Sequence, residues 1–209
     1  MFEAYIHELE QSITQKENLK LIRSLSQDFV RDHSLAECWI FSRETWGSPF
    51  FQVQELGVFI CGHIGNQHEE ALAFLENEVV RHPDWRVQEV LAMAFDICCS
   101  HIGYEQALPL IQKWLSSDNE KQRRAAAEGL RVWTSRRYFR ENPLVAIKLL
   151  AGLRGDESAY VRKSAGNALR DISKKFPELV SAELNSWDLS DKKIAQVCQS
   201  AGRYLPTAP

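Results

Sequence analysis

Two stretches place carboxylates, an amide and arginines at helical spacing. The first is Gln122-Arg123-Arg124-Ala125-Ala126-Ala127-Glu128-Gly129-Leu130-Arg131-Val132-Trp133, and the second is Val161-Arg162-Lys163-Ser164-Ala165-Gly166-Asn167-Ala168-Leu169-Arg170-Asp171-Ile172. Glu128 lies among small residues that permit close approach of a backbone or a ligand. Asn167 holds the equivalent place in the second stretch, and Asp171 follows it by one helical turn, on the same face. Glu128, Asn167 and Asp171 can therefore point into one cleft, or into an internal salt-bridge network with Arg131 and Arg170. Glu89, in an earlier similar segment, is a third candidate carboxylate. Trp85 precedes it by one turn and can cover it or fill the core.

The cations come next. Arg124, Arg131, Arg136, Arg137, Arg162, Lys163, Arg170 and Lys174 crowd the same region, and Arg131-Val132-Trp133-Thr134-Ser135-Arg136-Arg137-Tyr138-Phe139-Arg140 mixes cations with aromatics and hydroxyls. That mixture suits phosphate contacts with stacking against sugars and bases. The alternative is a solvated helix end whose aromatics belong to the core. The spacings Asp118/Arg123 and Asp156/Arg162 also suit ion pairs that stack one repeat on the next. Charge is uneven along the chain. Residues 1–100 hold 7 Lys+Arg and 16 Asp+Glu, a balance of −9; the remainder holds 18 and 12, a balance of +6. A basic half points to a polyanionic partner.

The elements that must position these groups read as helices throughout. Residues 1 to about 32 carry apolar positions at three- and four-residue steps, with a break foreseen at Asn18. Residues 35–46 form a short helix, stopped by Gly47-Ser48-Pro49. From there a motif recurs: Val53-Gln54-Glu55, then Val87-Gln88-Glu89 after 34 residues, Gln122-Arg123-Arg124 after 35 and Val161-Arg162-Lys163 after 39. Short amphipathic stretches precede the last three copies, at Glu70–Val80, Glu105–Leu115 and Pro143–Leu153. Helix A, tight turn, helix B at this period predicts an all-α fold: a right-handed α-solenoid of HEAT-like pairs whose B helices line the concave face. The chain is read as one domain over 1–209, with a helical cap (1–48), core repeats (49–175), a last helix pair (176–204) and a tail (205–209).

Composition narrows the classes. Hydrophobic residues make up 44% and charged residues 25%, ordinary for a globular protein. No apolar run approaches the ~20 residues of a membrane span. The acidic N-terminus is unlike a signal peptide, so a cytoplasmic location is expected. Cys38, Cys61, Cys98, Cys99 and Cys198 follow no disulfide or zinc spacing and read as buried thiols.

Three segments resemble the HEAT-like-repeat DNA alkylation repair family, that of the AlkC- and AlkD-type DNA glycosylases: Trp85–Ala92, Arg123–Arg131 and Tyr160–Lys175. The last, with Pro177 following, is similar to the AlkC-type pattern "VRRSVxNxLxDIxKxxP". The resemblance covers about residues 50–190. It implies excision of cationic N-alkylated purines of the 3-methyladenine or 7-methylguanine type, by a monomer bound to double-stranded alkylated DNA, with no cofactor and no metal. A carboxylate stabilises the sugar cation that develops as the glycosidic bond breaks, and aromatics support the charged nucleoside. Glu128, Asp171 and Glu89 would supply the carboxylate, Trp133, Trp85 and Asn167 the contact with substrate, and the cations above the grip on DNA. The AlkC-type tryptophan stands eight residues beyond its glutamate; here Trp133 stands five beyond Glu128. Two other classes remain open: a non-catalytic module for bent, branched or damaged DNA, and an interaction solenoid for an acidic protein.

Overall fold

A computed structural model describes residues 1–14 and 18–205. It contains thirteen α-helices among those residues and no strand. They divide into two compact units, Met1–Ile102 and Gly103–Pro209. The expected tail lies outside the described residues except for Leu205. No helix among the described residues is long and apolar enough to cross a membrane.

The first unit holds α1 (Glu3–Ser12), α2 (Leu19–Asp32), α3 (Leu35–Trp46), α4 (Phe51–Ile64), α5 (Glu69–Asn77) and α6 (Trp85–Ile102). Local signals set the boundaries. The Asn18 side chain accepts from the Leu21 amide and starts α2. Ser34 and Glu37 form a reciprocal capping box at α3, satisfying two otherwise orphaned amides. Helix α4 is apolar around most of its circumference, so it is buried, packing against α2, α3, α5 and α6. Gly62 permits its close approach to α6: a Cβ there would stand 2.7 Å from the Ala94 backbone. Cys38, Cys61, Cys98 and Cys99 are buried free thiols and Cys198 is half-buried.

The second unit holds α7 (Leu108–Leu115), α8 (Glu120–Gly129), α9 (Arg137–Glu141), α10 (Pro143–Ala151), α11 (Ala159–Ser173), α12 (Pro177–Asn185) and α13 (Lys192–Ala201). Helices α8 and α11 pack on each other, as do α11 and α13; α7 covers α8 and α10 covers α11. These are the expected helix pairs. One boundary differs from the expectation. Helix α8 stops at Gly129, and the chain then makes a short 3-10 turn at Trp133–Ser135 and the five-residue α9. The longest repeat step contains this excursion.

A single device closes the turn before four of the B helices. Gln54 Nε2 donates to the carbonyls of Trp46 and Ser48. Gln88 Nε2 donates to those of Val79, Val80 and His82. Arg123 Nη1 donates to Ser117 and Asp118, and Arg162 Nη1 to Asp156 and Glu157. All four occupy the same place in the repeat. Each satisfies carbonyls that the turn would otherwise leave without a partner.

The expected ion pairing within a repeat is corrected here. Arg123 does not pair with the Asp118 carboxylate; its Nε and Nη2 reach Asp156, in the next turn, at 2.6 and 2.8 Å. Arg162 likewise meets Asp156 only through the backbone carbonyl and sends its remaining donors to Gln196 Oε1 on α13. The arginines stack repeats, but by reaching forward.

Candidate nucleic-acid interface

Helices α8 and α11, with residues just past their ends, bring five polar side chains together. Ser164 Oγ donates to Glu128 Oε1 at 2.7 Å. Arg131 Nη1 lies 3.4 Å from Glu128 Oε2, and its Nε donates to Asp171 Oδ2 at 2.9 Å. Lys174 Nζ donates to Asp171 Oδ1 at 2.9 Å. The side chain of Asp171 is 8% exposed, that of Glu128 24% and that of Arg131 36%. Of the two arrangements open at the start, the described contacts are those of the salt-bridge network, with Arg131 as its centre.

The two carboxylates differ in circumstance. Burial alone would push the Asp171 carboxyl up; hydrogen bonds from Lys174 and Arg131, with their charges, more than offset it and hold it below the ordinary value. Asp171 therefore stands ionised with both oxygens engaged. Glu128 is the more open carboxylate, held by a hydroxyl and by one long contact to the guanidinium. Asn167 is half-buried on α11 between Ser164 and Asp171.

Trp133 stands where no ligand reaches it. It is 0% exposed, its indole N–H donates to the Ala127 carbonyl at 3.2 Å, and its ring meets Phe139 at 5.0 Å between centroids. The reason is the early end of α8: past Gly129 helical spacing no longer applies, and the 3-10 turn rotates the ring inward. As a stacking residue Trp133 is thus displaced by its role in the core. Trp85 is the opposite case, 62% exposed at the start of α6. Glu89 is exposed on the same helix. Both belong to the first unit.

The cations fall into two groups. Some are spent on the fold. Arg136 donates to the carbonyls of Gly129, Arg131 and Val132 and to Ser135 Oγ, so it gathers the carbonyl end of α8, where a positive charge is favoured. Arg162 closes its turn. Arg137 pairs with Glu141 one helical turn on, and Lys174 is shared between Asp171 and the Tyr204 ring. Others are available: Arg124 is half-buried and Lys163 exposed, and neither has an ion pair among the described residues. Arg170 keeps a buried Nε with no hydrogen-bond partner there. Among the described residues no group of three or more His, Cys, Asp or Glu is placed to hold a metal ion.

Ser164 was not among the residues singled out from the sequence. It lies three residues before Asn167 and seven before Asp171, on one helical face, and that spacing is the signal that marks it.

Comparisons with known proteins agree with this organisation. AlkD2 from Streptococcus mutans is 42% identical in a crystal structure, with a TM-score of 0.96, covering 99% of this chain and 100% of that one. The alkylpurine DNA glycosylase AlkC of Pseudomonas fluorescens, solved bound to DNA containing an abasic site analog, is 23% identical, with a TM-score of 0.50 over 96% of this chain and 60% of AlkC; that likeness is one of fold. The uncharacterized protein YhaZ of Bacillus subtilis (strain 168) is 37% identical over 90 residues, which span 41% of this chain and a quarter of YhaZ's length. The sequence model of a family described as "DNA alkylation repair enzyme" matches residues 18–196. With a helical-repeat fold, the shared motifs and a near-complete match to AlkD2, the chain belongs to the DNA alkylation repair enzyme family.

Proposed function

We propose that this member of the family binds duplex DNA through the cations of its second unit and serves alkylation repair by recognising damaged DNA there. The observation that carries this reading is the Glu128–Arg131–Asp171–Lys174 network. Its carboxylates are neutralised within the protein, so they do not repel a phosphate backbone, while Arg124, Lys163 and Arg170 remain to meet one. The DNA-bound AlkC, whose fold is shared, supports DNA as the ligand.

Excision of a cationic N-alkylated purine is a second reading, favoured by Glu128. Its carboxylate is the less buried of the pair, stands beside small residues, and is oriented by Ser164. A carboxylate so placed stabilises a sugar cation, and a positively charged base is a good leaving group without a metal. In this reading Asp171 positions Arg131, Arg131 positions Glu128, and only Glu128 meets the substrate.

Two measurements test the readings. Affinity for alkylated duplex DNA should fall with salt at a slope of about −0.9 for each phosphate contacted. No binding at low salt would sink both readings. Release of methylated bases by wild type, Glu128→Gln and Asp171→Asn then separates them. Release abolished by Glu128→Gln establishes excision; binding without release leaves recognition.

A further inference from the structure

The groove between the N-terminal half of α11 and helix α13 holds groups that the network above does not use. Two adjoining cavities open there, of about 640 and 300 Å³, sharing Arg162 and Gln196 in their walls. Both volumes fall within the ~300–1,000 Å³ typical of small-molecule sites. A Cβ at Gly166 would stand 2.9 Å from Ser200 Cβ, so the glycine lets α13 lie close to α11, with Ser200 and Gln196 in the cavity walls.

The walls are cationic and partly preorganised. Arg162 cannot swing away, because Asp156, Glu157 and Gln196 hold it. Lys193 engages both carboxylate oxygens of Glu157 at 2.6 Å. Lys163 and Lys192 are exposed and have no ion pair among the described residues. At the rim stands Tyr160, 72% exposed, its ring meeting no other ring among the described residues. A free aromatic face flanked by unpaired cations is the chemistry that takes a nucleotide, with the base on the ring and the phosphate on the lysines.

We infer that this groove seats one unpaired nucleotide of a DNA strand, stacked on Tyr160 and held by Lys163 and Lys192 against the fixed Arg162. A duplex base offers only its edge, whereas an unstacked base offers the face that a tyrosine ring needs. The inference rests on the DNA-binding reading above and adds a second subsite to it, separate from Glu128.

The test compares a blunt duplex with the same duplex carrying a single-stranded thymidine overhang, by fluorescence anisotropy with wild type, Tyr160→Ala and Tyr160→Phe. Wild type should prefer the overhang by about tenfold, Tyr160→Ala should lose that preference while keeping its affinity for the blunt duplex within about twofold, and Tyr160→Phe should retain it, since stacking needs only the ring. Equal affinity of wild type for the two probes, or an equal loss on both in Tyr160→Ala, overturns the groove assignment and leaves duplex binding intact. If wild type binds neither probe, the DNA reading fails and the groove assignment with it.

Discussion

Arg131 holds Asp171 through Nε at 2.9 Å while the same guanidinium stands 3.4 Å from Glu128. One residue therefore bridges the two carboxylates and controls how they sit, and it lies just beyond the end of α8, the helix that carries Glu128.

Arg131→Met tests that control. The methionine keeps the stem but leaves the buried Asp171 with Lys174 alone. A fully buried pair costs several kcal/mol to break; the exposure of Arg131 lowers this to about 1–2 kcal/mol. Urea unfolding would measure it. A variant as stable as wild type would show that Lys174 suffices.

Acid should unfold the protein through three carboxylates. Asp156, Asp171 and Glu183 are nearly buried and ion-paired, and each is held below its ordinary value: burial opposes this, and Arg123, Lys174 with Arg131, and Lys148 respectively outweigh it. Because the folded values are depressed, the unfolded chain binds more protons. The stability these groups supply is complete above the ordinary values of 3.8 for Asp and 4.5 for Glu, and is lost as pH falls through the folded ones. Melting temperature should be level from neutrality to about pH 5 and drop below it. Asp171→Asn should shrink that drop. An acid limb of the same size in the variant would assign it to other groups.

Trp133→Ala should cost about 3–5 kcal/mol, as removal of a fully buried aromatic does, and Trp133→Phe less. If the ring is core, Trp133→Phe keeps DNA affinity within about twofold, since no stacking contact worth ~1–3 kcal/mol is removed. A tenfold loss of affinity in a folded Trp133→Phe would return this residue to the binding surface.

Arg123→Gln and Arg123→Ala separate the two tasks of one arginine. Glutamine can still donate to the turn carbonyls, as Gln54 and Gln88 do, and loses only the link to Asp156. Alanine leaves the carbonyls unpaired as well and should cost about 1–2 kcal/mol more. Thermal melts of the two variants decide; equal losses would mean that the turn bonds contribute nothing.

These elements show what the chain makes legible. Asn18, the Ser34–Glu37 box and Gly47-Ser48-Pro49 are local signals, and the helices begin and end beside them. The repeat of Gln54, Gln88, Arg123 and Arg162 was readable as a period. The proximity of Glu128 and Asp171 followed from it, because neighbouring B helices share a face. The forward reach of Arg123 to Asp156 spans 33 residues and leaves no local trace; the nearer Asp118 fitted the spacing equally well. Trp133 is a related case: helical spacing ends at Gly129, where Arg136 gathers the carbonyls of a chain that has left the helix. Ser200 carries no motif at all; it stands beside α11 because Gly166 lets two helices close on one another.

The turn device has an evolutionary corollary. An amide and a guanidinium perform the same task beneath a B helix, so the geometry of the turn does not depend on the charge of the side chain that closes it. Glutamine and arginine can therefore exchange at this position, repeat by repeat, with the turn carbonyls satisfied either way.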